Sequence, residues 1–401
     1  MANVYLLYSK LEAGRPPRTD TLSYLMRVSA KAEEPLTPVF DLNGIEKETT
    51  AVVFAVTGGT AEGLKNLYEK APSVKRWLIL NEGKGNAFSA SMQMVTFLKE
   101  QNASAWILSG DADRVGASLK EELHLSKVLD RFSRLHIGQI GAPSDWLISK
   151  GTDRAFFERL GMRFSDIPVS EVEAEYEKGG YPENIYTFAL SAKGYDAEEM
   201  KKALDLYGAV RRVCQAHQLD ALTIRCFDLL FSVHCAGCAA VSVLSAEGIY
   251  AGCEGDMPSL LSMILLSLAA ERPAFMCNPS AMDIEKNEMI FAHCTLPLNM
   301  PDRFSLTTHF ESDSSVGIRG EFDPCPITVF KLSADGKRWF VSDGELLENP
   351  SFPDYCRTQV RVRLDKPVGT FLTEPIGNHY LICRGHFADL MNRVCALLQK
   401  K

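Results

Sequence analysis

No stretch of this 401-residue chain is apolar for long enough to cross a membrane. The longest apolar run, Leu260 to Ala270, is interrupted by Ser262 and Ser267 and falls short of the ~20 residues a spanning helix needs. It reads as a buried helix. The opening "MANVYLLYSK" has no basic segment ahead of an apolar core and no small-residue cleavage site, so a cytoplasmic protein is expected. Positive charge is also scarce: 43 Lys and Arg against 51 Asp and Glu leave a net charge of -8. With no basic stripe to neutralise phosphates, neither nucleic acid nor a membrane surface is an expected partner. Phosphate-cradling motifs are missing as well. "VTGGTAEG" contains Gly58 and Gly59 but neither G-x-G-x-x-G nor a P-loop, and a tight turn into a helix accounts for it. There is no internal repeat and no low-complexity tract. The pair Cys235 and Cys238, in "HCAGCAAVSVL", has no second C-x-x-C at zinc-ribbon spacing and reads as a closely packed helix start.

What remains is an ordinary globular composition, 46% hydrophobic and 23% charged, in a chain long enough for two or three domains. The 11 cysteines are an odd number, set mostly in apolar strands and helices, as free thiols are in a reducing compartment. Apolar runs at 51–56, 76–80, 105–109 and 135–141 alternate with helical patterns and predict buried parallel strands. The charged stretch "EVEAEYEKGGYPEN" at 171–184 marks a boundary or a surface excursion, and a polar helix follows over 197–217. A second α/β run takes strand 221–227, a helix over 233–246, strand 249–253, helix 258–270 and strand 274–277. Beyond residue 288 the pattern becomes short and alternating, as in antiparallel sheet, and ends in one helix. The expected fold is therefore α/β: two Rossmann-like layered parallel-sheet domains, 1–160 and 161–288, followed by a β-rich C-terminal domain, 289–401.

Ligands of parallel sheets collect beyond the carboxyl ends of the strands. Three runs of the second α/β segment end in polar residues there: "TIRCFD" with Arg225 and Asp228, "YAGCEGD" with Glu254 and Asp256, "FMCN" with Asn278. Asp256 precedes Met257-Pro258-Ser259 and suits a helix cap, with Pro258 in the first turn. Glu254 is harder to place, because a carboxylate in apolar surroundings needs a cation, a metal or a changed pKa. Arg225 is one candidate partner. Asn278, before Pro279, is either a turn residue or part of the same crevice.

These residues also carry a resemblance. "CEGDMPSLLSMILLSLAAERPAFMCN" resembles the central acidic motif of the L-fucose/L-arabinose isomerase-like family, and "IGNHYLICRGHFADLM" resembles its C-terminal histidine motif. The resemblance is to the shorter members and covers roughly 220–400. It implies aldose–ketose isomerisation through an enediol, with Mn²⁺ or Mg²⁺ held by Glu254, Asn278 and His379 and proton transfer by Glu254 and Asp256. Arg225, His293, Asn378 and Asn86 are the implied sugar contacts. The partner would be a monosaccharide, and the chain a homo-oligomer, trimer or hexamer, with a neighbour's N-terminal domain closing each site. The family's second acidic ligand falls 24 residues after the glutamate, where this chain has Asn278. An asparagine offers an oxygen but neither charge nor a proton site, so Asp256 or Asp283 would have to replace it. The alternatives are a non-catalytic sugar-binding relative, or an epimerase or lyase working through an enediolate on the same scaffold.

Overall fold

The computed structural model describes residues 2–12, 19–40, 44–149 and 151–399. It divides into two compact units, 1–130 and 131–399, each considered separately. In the first, β1 (Ala2–Leu7), α1 (Thr19–Ala32), β2 (Leu36–Val39), β3 (Thr50–Ala55), α2 (Ala61–Lys70), β4 (Arg76–Asn81), α3 (Gly85–Glu100), β5 (Ser104–Ser109) and α4 (Ala112–Ser133) follow in order. The strands form one parallel sheet, β2-β1-β3-β4-β5. Side chains alternate across it. Val53, Trp77 and Ile79 pack against α2 and α3, whereas Val52, Phe54, Leu78 and Leu80 pack against α1 and α4. Continuous apolar runs are what a sheet covered on both faces requires. Gly58 and Gly59 lie in the turn before α2, as expected.

The second unit opens with another parallel sheet, β7-β6-β8-β9, built from β6 (His136–Ile140), β7 (Arg163–Ile167), β8 (Ala221–Ile224) and β9 (Tyr250–Gly252). Its helices are α5 (Arg154–Leu160), α6 (Val169–Tyr176), α7 (Ile185–Ser191), α8 (Ala197–His217), α9 (Cys226–Ser232), α10 (Cys238–Ala246) and α11 (Met257–Ala270). Strand 136–140 thus pairs with β7 and β8, not with the strands before it. The strand read over 221–227 stops at Ile224, because Arg225 already caps α9.

An antiparallel closed barrel follows, β10-β11-β16-β15-β14-β17. Its strands are β10 (Ala274–Asp283), β11 (Glu288–His293), β14 (Cys325–Leu332), β15 (Trp339–Glu348), β16 (Thr358–Leu364) and β17 (Tyr380–Arg384). A separate hairpin, β12 (Arg303–Thr307) with β13 (Gly317–Glu321), short α12 (Thr370–Thr373) and closing α13 (Ala388–Leu398) complete the chain. The segment 274–277, read as a parallel strand, instead starts β10 and pairs antiparallel with β17.

Helix α11 explains its own sequence. It packs against β8 and β9 on one side and barrel strands β10, β14 and β17 on the other. Every residue except Pro258 is buried, so a polar face would serve nothing. Its serines join the layers: Ser262 Oγ donates to Pro258 O (2.7 Å) and accepts from Leu332 N (2.9 Å) on β14. Among the described residues no helix is long and apolar enough to cross a membrane.

Candidate active site

The polar residues converge where β9 turns into α11 and meets the barrel, within the second unit. Glu254 and Gly255 both take positive φ, 61° and 68°, a conformation uncommon for a non-glycine residue. Ser144 N donates to Glu254 O (2.9 Å) and Gly255 N to Ile224 O (3.0 Å), which hold the turn in place. At Gly255 a Cβ would come 2.7 Å from Ala142 O, so only glycine fits. The turn sends Glu254 away from the helix axis while Asp256 caps it, its Oδ1 accepting from Ser259 N at 2.9 Å. The capping role read for Asp256 and Pro258 is what the structure has.

Asp256 does more than cap. Its Oδ2 accepts from Ser259 Oγ (2.6 Å) and stands 2.8 Å from His379 Nδ1. His379, just ahead of β17, is wholly buried, and its Nε2 has no hydrogen-bond partner. That orphan nitrogen lies 3.5 Å from Glu254 Oε1, and His293 Nε2 lies 3.8 Å from the same oxygen. The other oxygen of Glu254 accepts from Trp146 Nε1 at 2.6 Å. His293 Nδ1 accepts from Thr295 N at 3.3 Å and stands 2.9 Å from Thr295 Oγ1.

Barrel register produces this meeting. Tyr380 pairs with Cys277 and Asn278 with Ala292, so His379, just ahead of β17, comes beside Asn278 on β10 and His293 on β11. One atom each of Glu254, His293 and His379 lie within 4.8 Å of one another, close enough to hold a metal ion. The donor set fits that use. An unpaired buried nitrogen costs ~1–3 kcal/mol unless something fills the position, and a ligating histidine characteristically gives its other nitrogen to a carboxylate.

Electrostatics favour the charged forms. Burial alone would raise Glu254, but His293 and His379 outweigh it and hold the carboxyl well below its usual range. Burial works the same way on Asp256, where Lys331, His379 and Ser259 prevail and keep it low. Burial opposes charge on His379, yet Asp256 and Glu254 push its pKa up to about 9.

Glu254, His293 and Asn278 border a cavity of about 400 Å³, together with Trp146, Asn378 and Glu311. Of the residues singled out in the sequence, Arg225 is the clear departure. It pairs with Asp145 (2.9 Å) and Asp228 (2.8 Å) and donates to Pro143 O, not to Glu254. Asp283 is the last residue of β10, accepts from Lys286 N and does not border the cavity. Asn278 is not at the end of a parallel strand; it lies within β10, and its amide donates to Asn378 O at 3.4 Å. The His379 imidazole is oriented by Asp256. Asn86 belongs to the first turn of α3 in the first unit.

Sequence reading missed Trp146, Thr295, Glu311 and Lys331. The first three lie in loops with no periodic signal. Lys331 did leave a trace, a lysine among the inward residues of "ITVFKL".

No family model matches the chain. It is 24% identical over 295 residues to proteins named sulfoquinovose isomerase from Priestia aryabhattai and Priestia megaterium, covering 70% of this chain and 65% of each relative. A protein of the same name from Alkalicoccus urumqiensis is 25% identical over 285 residues, covering 67% of this chain and 63% of the relative. The chain thus spans just under two thirds of the length of the curated relatives it matches.

Proposed function

We propose that this protein is an aldose–ketose sugar isomerase that holds a divalent cation between Glu254, His293 and His379. The carrying observation is the orphaned His379 Nε2, backed by Asp256 and aimed at Glu254. Similarity to sugar isomerases over most of the chain supports the reaction class, in keeping with the fucose/arabinose isomerase-like motifs. Two imidazoles and a carboxylate suit Mn²⁺ better than Mg²⁺, which prefers oxygen throughout. A cation there supplies polarisation of a sugar carbonyl and stabilisation of the negative charge that develops on it.

The chain's own groups do the rest. Glu254, held charged and fixed by Trp146, is the base that moves a proton between C1 and C2. Asp256 does not border the cavity that Glu254 lines and faces His379 Nδ1, so its part is to orient His379 rather than to carry a proton. The second proton-handling group is assigned to Glu311, which borders the same cavity and whose carboxyl burial pushes upward. It stands in for the carboxylate that Asn278 does not provide. A closed homo-oligomer, with Asn86 of a neighbouring copy near the sugar, completes the proposal.

The test is Mn²⁺-loaded protein with a panel of aldoses in heavy water, followed by NMR. Ketose carrying deuterium at C1 is expected. Glu254→Gln should lower turnover by ~10²–10⁴-fold and weaken Mn²⁺ uptake, whereas Glu311→Gln should lower turnover with uptake retained. An unchanged panel with metal bound would sink the isomerase reading.

A further inference from the structure

Behind the candidate metal centre lies a lysine that the proposed reaction does not use. Lys331, on β14, is 2% exposed. Its Nζ stands 2.5 Å from Ser259 Oγ and 4.0 Å from Asp256 Oδ2. Among the described residues Asp256 is the carboxylate within ion-pairing reach of it. Burial draws the lysine pKa down, and Asp256 works against that. A buried ammonium is expensive to keep, so its position calls for a reason.

Hydrogen-bond polarity supplies one. An ammonium has three donors and no acceptor. Ser259 Oγ must therefore accept from Lys331 and give its own hydrogen to Asp256 Oδ2, 2.6 Å away. Asp256 then receives the Ser259 N–H and O–H and remains a carboxylate, so it accepts the Nδ1–H of His379. Nε2 is left as the nitrogen turned toward Glu254 Oε1, 3.5 Å away. Each proton in the row is oriented from its lysine end. Without the ammonium the serine hydroxyl can turn, and Asp256 loses its nearest non-histidine cation.

Lys331 does not border the cavity that Glu254 and His293 share. It borders a different cavity, of about 820 Å³, shared with Asp256 but not with Glu254 or His293. We propose that Lys331 is a positioning residue of the metal centre, which through Ser259 and Asp256 holds the His379 ring with Nε2 turned toward Glu254. This rests on the metal reading given above.

The experiment is calorimetric titration of the whole chain with Mn²⁺ alone, for wild type, Lys331→Met, Ser259→Ala and the double variant. Metal-free unfolding midpoints are measured beside it. Each single change is expected to weaken Mn²⁺ binding by ~10–100-fold, and the double variant to be little worse than either. Ser259→Ala keeps the buried charge, so it tests the relay even if Lys331→Met does not fold. Wild-type affinity in folded variants overturns the proposal, as do fully additive losses. A lower midpoint with unchanged affinity makes Lys331 a packing residue and also overturns it. If wild type takes up no Mn²⁺, the metal reading has failed instead.

Discussion

Glu254 sits at a backbone angle that glycine tolerates and glutamate does not prefer, and the strain has a use. A relaxed residue continuing β9 would alternate into the layers above or below the sheet. The turn through Glu254 and Gly255 delivers one carboxylate to the imidazoles and the next, Asp256, to the start of α11. Two acids two residues apart therefore take different roles, one facing the cavity and one supporting a histidine. The raised pKa of His379 makes metal uptake depend on pH. In the metal-free protein the ring is protonated below about 9, and ligation needs the Nε2 lone pair, so the proton must leave. Affinity for Mn²⁺ should rise by ~10-fold per unit as pH climbs from 7 and level off near the ring's own pKa. Calorimetry in buffers of different ionisation heat should find about one proton released per ion at pH 7.5. Release of none would contradict this assignment of the ring.

Helix α11 shows how an element's composition follows from where it is packed. Covered on both sides, it is apolar all round, and its few hydroxyls point to particular backbone groups rather than to water. Ser262 is the clearest case, since the Leu332 amide of β14 has its oxygen as acceptor. Ser262→Ala should leave that amide buried and unpaired, destabilising the second unit by ~1–3 kcal/mol. Chemical unfolding checks the value, and a change within error would mean that the joint between helix and barrel lies elsewhere. Most elements were readable from period and run length, including α8 at its own ends and the barrel strands after residue 288. Segment 274–277 was not, because a short continuous apolar run looks alike in a parallel sheet and in a barrel. Which partner it finds is settled by β17, a hundred residues later.

Across the whole molecule, calorimetry should resolve two unfolding transitions, one for each compact unit. Mn²⁺ at about 100 times its dissociation constant should stabilise by ~2.7 kcal/mol the transition of the unit that carries Glu254, His293 and His379, and leave the other in place. A shift in both, or in neither, would contradict the placement of the ion. Glu254 could be picked out in the chain because charge in apolar surroundings demands a partner, and His379 through the motif it resembles. Their partners could not. Arg225 finds Asp145 across 80 residues, and Glu254 finds Trp146 across 108, with no local signal. Local chemistry, the spacing of apolar side chains and a Pro-assisted cap, was enough to specify the α/β layers, the β-rich end and the start of α11. Pairing across sequence distance was not, because it depends on strand register. The antiparallel match of β10 with β11 and β17 brings His293 and His379 to one corner, and Lys331 lies behind it.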